Sequence, residues 1–380
     1  MQLADDPGSI DKSKYTDQLL TLGRNSGLHQ VGVASAEVLH RARQALNERK
    51  SQGLHNQMQF TYRNPVRSTT PEMALPHARS IVVGARSYFA DVQLPALSEM
   101  TDAVFGDVAR YAWSDHYASL RDSLTVVAQQ LRSDGHEAVV FADSNAIVDR
   151  EVAYLAGLGW FGKNANLLIS GAGSWFVLGC VVTTAELTPS ATVSDGCGTC
   201  RRCIDACPTG AIVEPGVIDA GKCLAWILQK PGIIAPQYRE AIGARMYGCD
   251  SCQDACPPSM RLAQHEDVAS DAQIVVDVLE LLALGDAEIL ERYGRWYIAG
   301  RDPRWVRRNA LLVIGNTASL HNEKAQAVVA AHVQSADPIL RAHAVWAASR
   351  LGMSSIIPSH DEDPDVTSEL HRLPGVREQH

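Results

Sequence analysis

No stretch of this chain stays apolar for long. The longest nearly apolar run, Ser174 to Ala185, falls short of the roughly 18 residues that a membrane-crossing helix needs. The first residues, Met1-Gln2-Leu3-Ala4-Asp5-Asp6, are acidic where a secretory signal would be basic and then apolar. An excess of positive charge is missing too. With 34 Lys and Arg against 43 Asp and Glu, the net charge of −9 argues against a uniformly basic nucleic-acid coat, although a local patch is still allowed. The 380 residues are 46% hydrophobic and 20% charged, which excludes disordered and fibrous classes and supplies cores for two or three domains. The expectation is a soluble, cytoplasmic, multidomain protein with no membrane partner.

Cysteine is almost absent outside one window. Of nine cysteines, only Cys180 lies beyond the segment Cys197–Cys256, and its apolar surroundings suit a core thiol. A secreted disulfide scaffold would be short and would spread its cysteines across the fold, so clustered thiols here read as metal ligands. Cys197-x-x-Cys200-x-x-Cys203-x-x-x-Cys207-Pro208 is the bacterial ferredoxin run, in which three thiolates reach three irons of one cubane and the fourth turns toward a second. Cys249-x-x-Cys252-x-x-x-Cys256-Pro257 is a second, incomplete run, and Cys223 is the nearby thiol that completes the count. By this crossover, cluster one takes Cys197, Cys200, Cys203 and Cys256, and cluster two takes Cys207, Cys223, Cys249 and Cys252. A pair of four-cysteine zinc sites needs the same number of thiolates, but zinc ribbons use two separated CxxC pairs rather than a continuous run. Two adjacent [4Fe–4S] clusters make an electron wire.

Around this window, residues 1–190 read as an α/β domain. Ser80–Ala85 and Ala138–Ala142 are short β-branched runs, predicted as buried strands. Between them, Leu120, Leu124, Val127 and Leu131 recur at helical spacing within Tyr117–Leu131. Asp143-Ser144-Asn145 is a candidate N-cap cluster for a helix near Ile147–Leu155. Asn166–Ile169 and Trp175–Thr183 are predicted to pair across the turn Gly171-Ala172-Gly173. Residues 191–262 form the ferredoxin-like segment. From 270 to 356 the texture is helical over Ile274–Leu284, Val306–Ile314 and Ile339–Leu351, and Asp302-Pro303 and Asp337-Pro338 each lead into similar helices. The 34-residue interval from Arg307 to Arg341 suits stacked helical repeats of the HEAT kind, or else a small bundle. The polar, proline-punctuated segment 357–380 reads as a disordered tail.

Two motifs invite other readings. Gly157-Leu158-Gly159-Trp160-Phe161-Gly162-Lys163-Asn164 fits both a dinucleotide fingerprint and a phosphate loop. A helix precedes it where a strand is required, and Asn164 stands where a magnesium-binding Ser or Thr is needed. Asp134-Gly135-His136 approaches the Asp-x-His motif of proteins that bind cobalamin through histidine, but its following glycine is missing.

Taken together, these residues resemble the epoxyqueuosine reductase family, cobalamin-dependent enzymes with two [4Fe–4S] clusters that act in tRNA queuosine modification and are related to reductive dehalogenases. The similarity runs from about Met58 to Leu351. It includes Arg67-x-x-x-Pro71, Pro76-x-Ala78-Arg79-Ser80, Arg110-Tyr111-Ala112, Asp143-Ser144, Gly157–Asn166, Gly173-Ser174-Trp175-Phe176, the cysteine set and Arg308-Asn309-Ala310. The resemblance implies an N-terminal cobalamin-binding catalytic domain with Asp143 as proton donor. It implies cofactor contacts from Arg67, Tyr111, Asp143, Lys163, Leu167, Leu178, Ala225, Asp250 and Ser251.

The resemblance also implies that C-terminal helical repeats grip a tRNA anticodon stem-loop, and that an unidentified low-potential donor supplies electrons. Arg295, Arg301, Arg304, Arg307 and Arg308 against Asp302 give a local +4, interleaved with Trp296, Tyr297 and Trp305. Arg295, Arg304, Arg307 and Arg308 are therefore the expected phosphate contacts, with a solvated helix face as the alternative. Pro258-Ser259 after Cys256-Pro257, Ser114-Asp115-His116-Tyr117, and a rearranged Arg301–Arg304 region depart from the usual family pattern. They keep open a related cobalamin and iron–sulfur reductase with a non-tRNA substrate.

Overall fold

The structure is a computed structural model that describes residues 12–90, 102–260 and 271–373; the end of the expected disordered tail, 374–380, lies outside the described residues. Two compact units emerge, each assembled from separated segments. The first draws on segments within 1–91, 115–220 and 251–267, and the second on 92–114, 221–250 and 268–380. This differs from the contiguous order of domains expected. The cysteine segment is divided between the units because its elements are only two to seven residues long and cannot enclose a core of their own.

The first unit is built on a four-stranded antiparallel sheet in the order Gln30–Ser35, Ser80–Ser87, Phe176–Thr183, Ala138–Ala142. Its two central strands are nearly continuous apolar runs because both faces are covered. The helix His116–Ser133 covers one face with Leu120, Leu124, Val127, Ala128 and Leu131, all fully buried. It sits close because Gly84 and Gly179 pair directly across the two central strands. A Cβ on Gly179 would come within 2.8 Å of Leu124, and one on Gly84 within 2.8 Å of Leu28. On the other face, a Cβ on Gly32 would meet the Ala156 carbonyl at the end of helix Asp149–Leu155.

Asp115 caps the helix His116–Ser133, its carboxylate accepting the Ala118 N–H at 2.9 Å. At the other end Asp134 accepts from the Tyr15 hydroxyl (2.7 Å) and from the Gln130 amide. The Asp134-Gly135-His136 sequence is thus a helix terminus.

One strand pairing differs from expectation. Leu167–Leu168 pairs with Trp160–Phe161, and only an isolated Ile169–Gly173 bridge closes the Gly171 turn. The long apolar strand Phe176–Thr183 is instead taken up on both edges by Ser80–Ser87 and Ala138–Ala142.

The second unit has a small sheet in the order Arg245–Tyr247, Phe105–Val108, Val275–Asp277, the first pair parallel and the second antiparallel. The helix expected over 274–284 begins with that edge strand and becomes helical only at Val278–Ala283, where Asp277 caps it. Helices Arg304–Thr317, Glu323–Val333 and Pro338–Arg350 form the rest of a helix-rich region. Asp302 and Asp337 play equivalent parts, each accepting a backbone N–H at the start of its helix. The tail expected to be disordered continues as a helix, Pro364–Leu370. Val366 and Leu370 are buried, and Glu369 forms a 2.7 Å ion pair with Arg239 with both side chains almost fully shielded. Its two apolar anchors and a distant arginine outweigh its polar composition.

Candidate functional site

In the first unit the thiols of Cys197 and Cys200 lie within electrostatic reach of both Cys203 and Cys256. Burial pushes the Cys203 thiol up, and the neighbouring Cys256, Cys197 and Cys200 push it further. Burial also raises Cys256, against the lowering effect of the Ser259 N–H and hydroxyl. Trp160, Leu168 and Cys256 form one buried cluster against which Cys197 packs. Among the described residues, no three His, Cys, Asp or Glu side chains converge on a single ion position.

The glycine-rich motif that mimics a nucleotide loop turns out to brace this segment. Lys163 Nζ donates to the carbonyls of Gly198 (2.6 Å) and Cys200 (2.9 Å), on the first cysteine loop. Asn164 Nδ2 reaches the Cys252 carbonyl. Gly157 and Gly159 leave room for the chain itself: a Cβ on either would lie 2.1 Å from a backbone carbonyl, of Ala191 and Leu168 respectively. The Lys163 ammonium, one of the expected cofactor contacts, thus binds the loop of residues 198–200. Ser259, one of the departures from the family pattern, is also internal. It is buried, its carbonyl accepts the Trp175 indole N–H (3.2 Å), and its backbone fills the space beside Gly173.

Cys207 and Cys252 belong to the first unit, Cys223 and Cys249 to the second. Burial raises the Cys207 thiol, but N–H groups of Thr209, Ala211 and Ile212 with the Thr209 hydroxyl outweigh it and leave the thiol below its ordinary value. The Ala211 N–H lies 3.2 Å from the sulfur. Such donors stabilise a thiolate ligand.

Asp143 leaves the sheet one residue beyond Ala142, which pairs with Gly179, and so emerges level with Leu178. It is not a helix cap. The following helix starts at Asp149 with Val148 as its N-cap and no side-chain cap, because Asp143 adopts a left-handed φ of 51° that turns the chain away first. Burial raises its carboxyl above the usual range, opposed by the charge of Arg121 and reinforced by Asp115. Tyr117 and Asp149, neither of them among the expected site residues, interact electrostatically with Asp143. Burial pushes both of them up, so the surroundings of Asp143 favour protonated groups.

The remaining expected cofactor contacts divide between the units. Leu167 and Leu178 are buried, Arg67 is exposed on the short helix Pro65–Ser68, and Ser251 opens the helix Ser251–Asp254. In the second unit, the Tyr111 hydroxyl accepts from Gln229 at 2.8 Å and the Asp250 carboxylate accepts the Arg110 N–H at 2.8 Å. Ala225 lies on the helix Leu224–Gln229, half-buried.

The expected phosphate-binding arginines are largely committed within the fold. Arg308 is fully buried and cannot reach a phosphate; its guanidinium faces the carbonyls of residues 227–232. Arg307 pairs with Asp286 (2.6 Å) and Arg304 with Asp337 (2.8 Å). Arg295 donates to the Ala112 and Trp113 carbonyls while staying at the surface, and Trp296 is buried against Tyr247. Of the five arginines counted along the sequence, Arg304 and Arg307 are paired with acids outside the counted window, Asp337 and Asp286.

Residues 196–259 match the family model described as a 4Fe-4S double cluster binding domain. The chain is 30% identical over 365 residues to the epoxyqueuosine reductase of Bacillus subtilis, covering 94% of this chain and 90% of that one. The chain belongs to the epoxyqueuosine reductase family. The epoxyqueuosine reductase of Salmonella typhimurium is 32% identical over 316 residues, 81% of each chain. Among solved structures, an epoxyqueuosine reductase with an epoxyqueuosine-modified tRNA-Tyr stem loop superposes with a TM-score of 0.85 at 25% identity, covering 96% of this chain and 98% of that one. The epoxyqueuosine reductase fold thus extends over nearly the whole molecule. No helix among the described residues is long and apolar enough to cross a membrane.

Proposed function

We propose that this protein reduces epoxyqueuosine to queuosine at the wobble position of tRNA, in the cytoplasm, with cobalamin and two [4Fe–4S] clusters as resident cofactors. The observation that carries this reading is membership of the epoxyqueuosine reductase family together with the double-cluster match over 196–259. The overall change is balanced by two electrons and two protons, which convert the epoxide to an alkene and water. Cys197, Cys200, Cys203 and Cys256 hold one cluster and Cys207, Cys223, Cys249 and Cys252 the other. These clusters supply single-electron transfer from a low-potential donor. The grouping of the first four thiols and the N–H donors on Cys207 fit this role.

Arg67, Tyr111, Lys163, Leu167, Leu178, Ala225, Asp250 and Ser251 are the corrin contacts implied by family membership. Buried Leu167 and Leu178 suit the flat apolar macrocycle, while the Lys163 bonds to residues 198 and 200 make it the least suited. When bound, cobalamin supplies a low-valent metal centre able to open the epoxide. Asp143 holds a proton on its carboxyl and delivers it to the departing oxygen. A carboxyl raised by burial and not engaged as a helix cap is suited to that task.

The C-terminal helices, with their Asp-Pro starts 35 residues apart, are read as HEAT-like repeats that grip the anticodon stem-loop. Exposed Arg295, Arg301 and Tyr297 with half-exposed Arg304 form the surface offered to it. Two of the three departures from the family pattern have structural duties, Asp115 as a helix cap and Ser259 beneath Trp175, so these two do not favour a different substrate. The test is mass spectrometry of tRNA from cells lacking this protein. Epoxyqueuosine should accumulate and queuosine should return on complementation; unchanged queuosine levels overturn the assignment.

A further inference from the structure

Two of the eight cysteines, Cys223 and Cys249, bound a stretch of the second unit that is held from within by the C-terminal helices. Cys223 is the N-cap of the helix Leu224–Gln229. Six residues are too few for a helix to persist unaided. Four carbonyls at and beyond its C-terminal end meet the guanidinium of Arg308. Nη1 donates to Gly232 (2.6 Å) and Lys230 (2.8 Å), and Nη2 to Leu228 (3.1 Å) and Ile227 (3.4 Å).

Asn309 completes the arrangement. Its Oδ1 accepts from Arg308 Nη2 at 3.0 Å and fixes the guanidinium plane. Its Nδ2 donates both to Leu228 O (2.9 Å) and to Met246 O (3.2 Å). Met246 lies in the strand Arg245–Tyr247, which leads through Gly248 into Cys249. Gly248, at φ 74°, packs so tightly that a Cβ there would lie 2.5 Å from that of Ala109.

The helix Pro338–Arg350 repeats the device. His343, 34 residues after Asn309 and fully buried, accepts the Ile234 N–H on Nε2 (3.2 Å), with Nδ1 2.7 Å from Ile339 O. Burial, with the charges of Arg239 and Arg308, keeps it neutral, as that acceptor role requires.

We propose that Arg308 and Asn309 are positioning residues for the second [4Fe–4S] cluster: one internal clamp sets the helix that follows Cys223 and the strand that precedes Cys249, so the pair is presented in register. The inference rests on the reading that both cysteines ligate that cluster. A guanidinium suits the task because a rigid fork of five donors satisfies several carbonyls at once, whereas a lysine ammonium binds as a point. The helical region then serves the redox centre as well as the RNA.

The test compares Arg308→Met, Arg308→Lys and Asn309→Ala with Leu370→Ala, a cavity in the tail helix that lowers stability without touching the clamp. Iron and acid-labile sulfide are counted after anaerobic reconstitution, and electron paramagnetic resonance of the reduced protein resolves the two clusters. Hydrogen exchange is followed on the metal-free chain. Wild type should hold about eight irons; about four would refute the ligand reading itself, separately from the clamp.

Arg308→Met and Asn309→Ala should retain about four irons and one cluster signal. Their exchange over residues 224–248 should rise about tenfold or more, while residues 116–133 stay unchanged. Arg308→Lys should fall between them and wild type, and Leu370→Ala should keep both clusters. Full iron with unchanged exchange in Arg308→Met overturns the clamp, as does equal iron loss in Leu370→Ala. If Arg308→Met does not fold, Asn309→Ala decides by the same two readings, since it removes no charge.

Discussion

Replacing Asp143 by Asn isolates the proton it carries. The backbone dictates the choice of residue. Asp143 sits at φ 51°, a left-handed conformation that Asn adopts readily, whereas a residue without a short polar side chain incurs about 1–2 kcal/mol there. Asn therefore keeps the turn that places residue 143 level with Leu178 and removes only the acidic proton. Loss of a positioned general acid lowers turnover by about 10²–10⁴-fold, equivalent to about 2.7–5.4 kcal/mol of barrier.

The pH dependence has a definite sign. Burial raises the Asp143 carboxyl, so the folded state prefers the protonated form. Activity that depends on this proton is present at low pH and falls as pH rises through the raised value. Any stability linked to the group follows the same direction, full below the ordinary carboxylate range and lost above the raised one. The Asp143→Asn variant should lack that falling limb. The assay is single-turnover reduction of an epoxyqueuosine-bearing anticodon stem-loop from pH 5 to 9, with RNA binding and cofactor content measured in parallel. Turnover within about threefold of wild type, or an unchanged alkaline limb, refutes the assignment of Asp143 as the acid.

Three further outcomes test the surrounding structure. Glu369→Gln should cost about 3–5 kcal/mol by leaving the Arg239 charge buried without its partner, while Arg239→Met with Glu369→Leu should recover most of it; denaturant melts of these two variants and wild type check this. Lys163→Met removes the bonds to the Gly198 and Cys200 carbonyls, worth about 1 kcal/mol, and should speed loss of the first cluster in air about fivefold, followed by visible absorbance. Cys223→Ser should bring iron from about eight to about four per chain, one cluster surviving, by iron and sulfide analysis.

Much of the first unit was legible because its signals are local. The helix His116–Ser133 follows from Leu120, Leu124, Val127 and Leu131, and the central strands from unbroken apolar runs. The cysteine spacing was legible for a different reason: a cubane imposes its own geometry on the loop that wraps it.

What escaped depends on partners far along the chain. Arg308 looks solvent-facing in a run of arginines, yet its carbonyl partners lie some eighty residues earlier. The tail helix is polar in composition, and its anchor Glu369 meets Arg239 across 130 residues. The two-residue strands Trp160–Phe161 and Leu167–Leu168 are too short for periodicity to show which neighbour they join. Asp143 was misplaced as a cap because a single left-handed residue turns the chain before the helix begins.

The interlaced segments of the first unit also bear on how the chain is made. Its final piece carries Cys256 and Ser259, and Ser259 fills the space beside Gly173 beneath Trp175. At about 5–20 residues per second, a ribosome that has finished residue 190 needs roughly 3–14 s to deliver it. Throughout that interval the nascent sheet has an open seam where Ser259 belongs, and Cys203, once made, precedes Cys256 by about fifty residues. A fragment cut at residue 190 would keep that seam open permanently. The N-terminal part of this molecule is early in sequence but late to be finished.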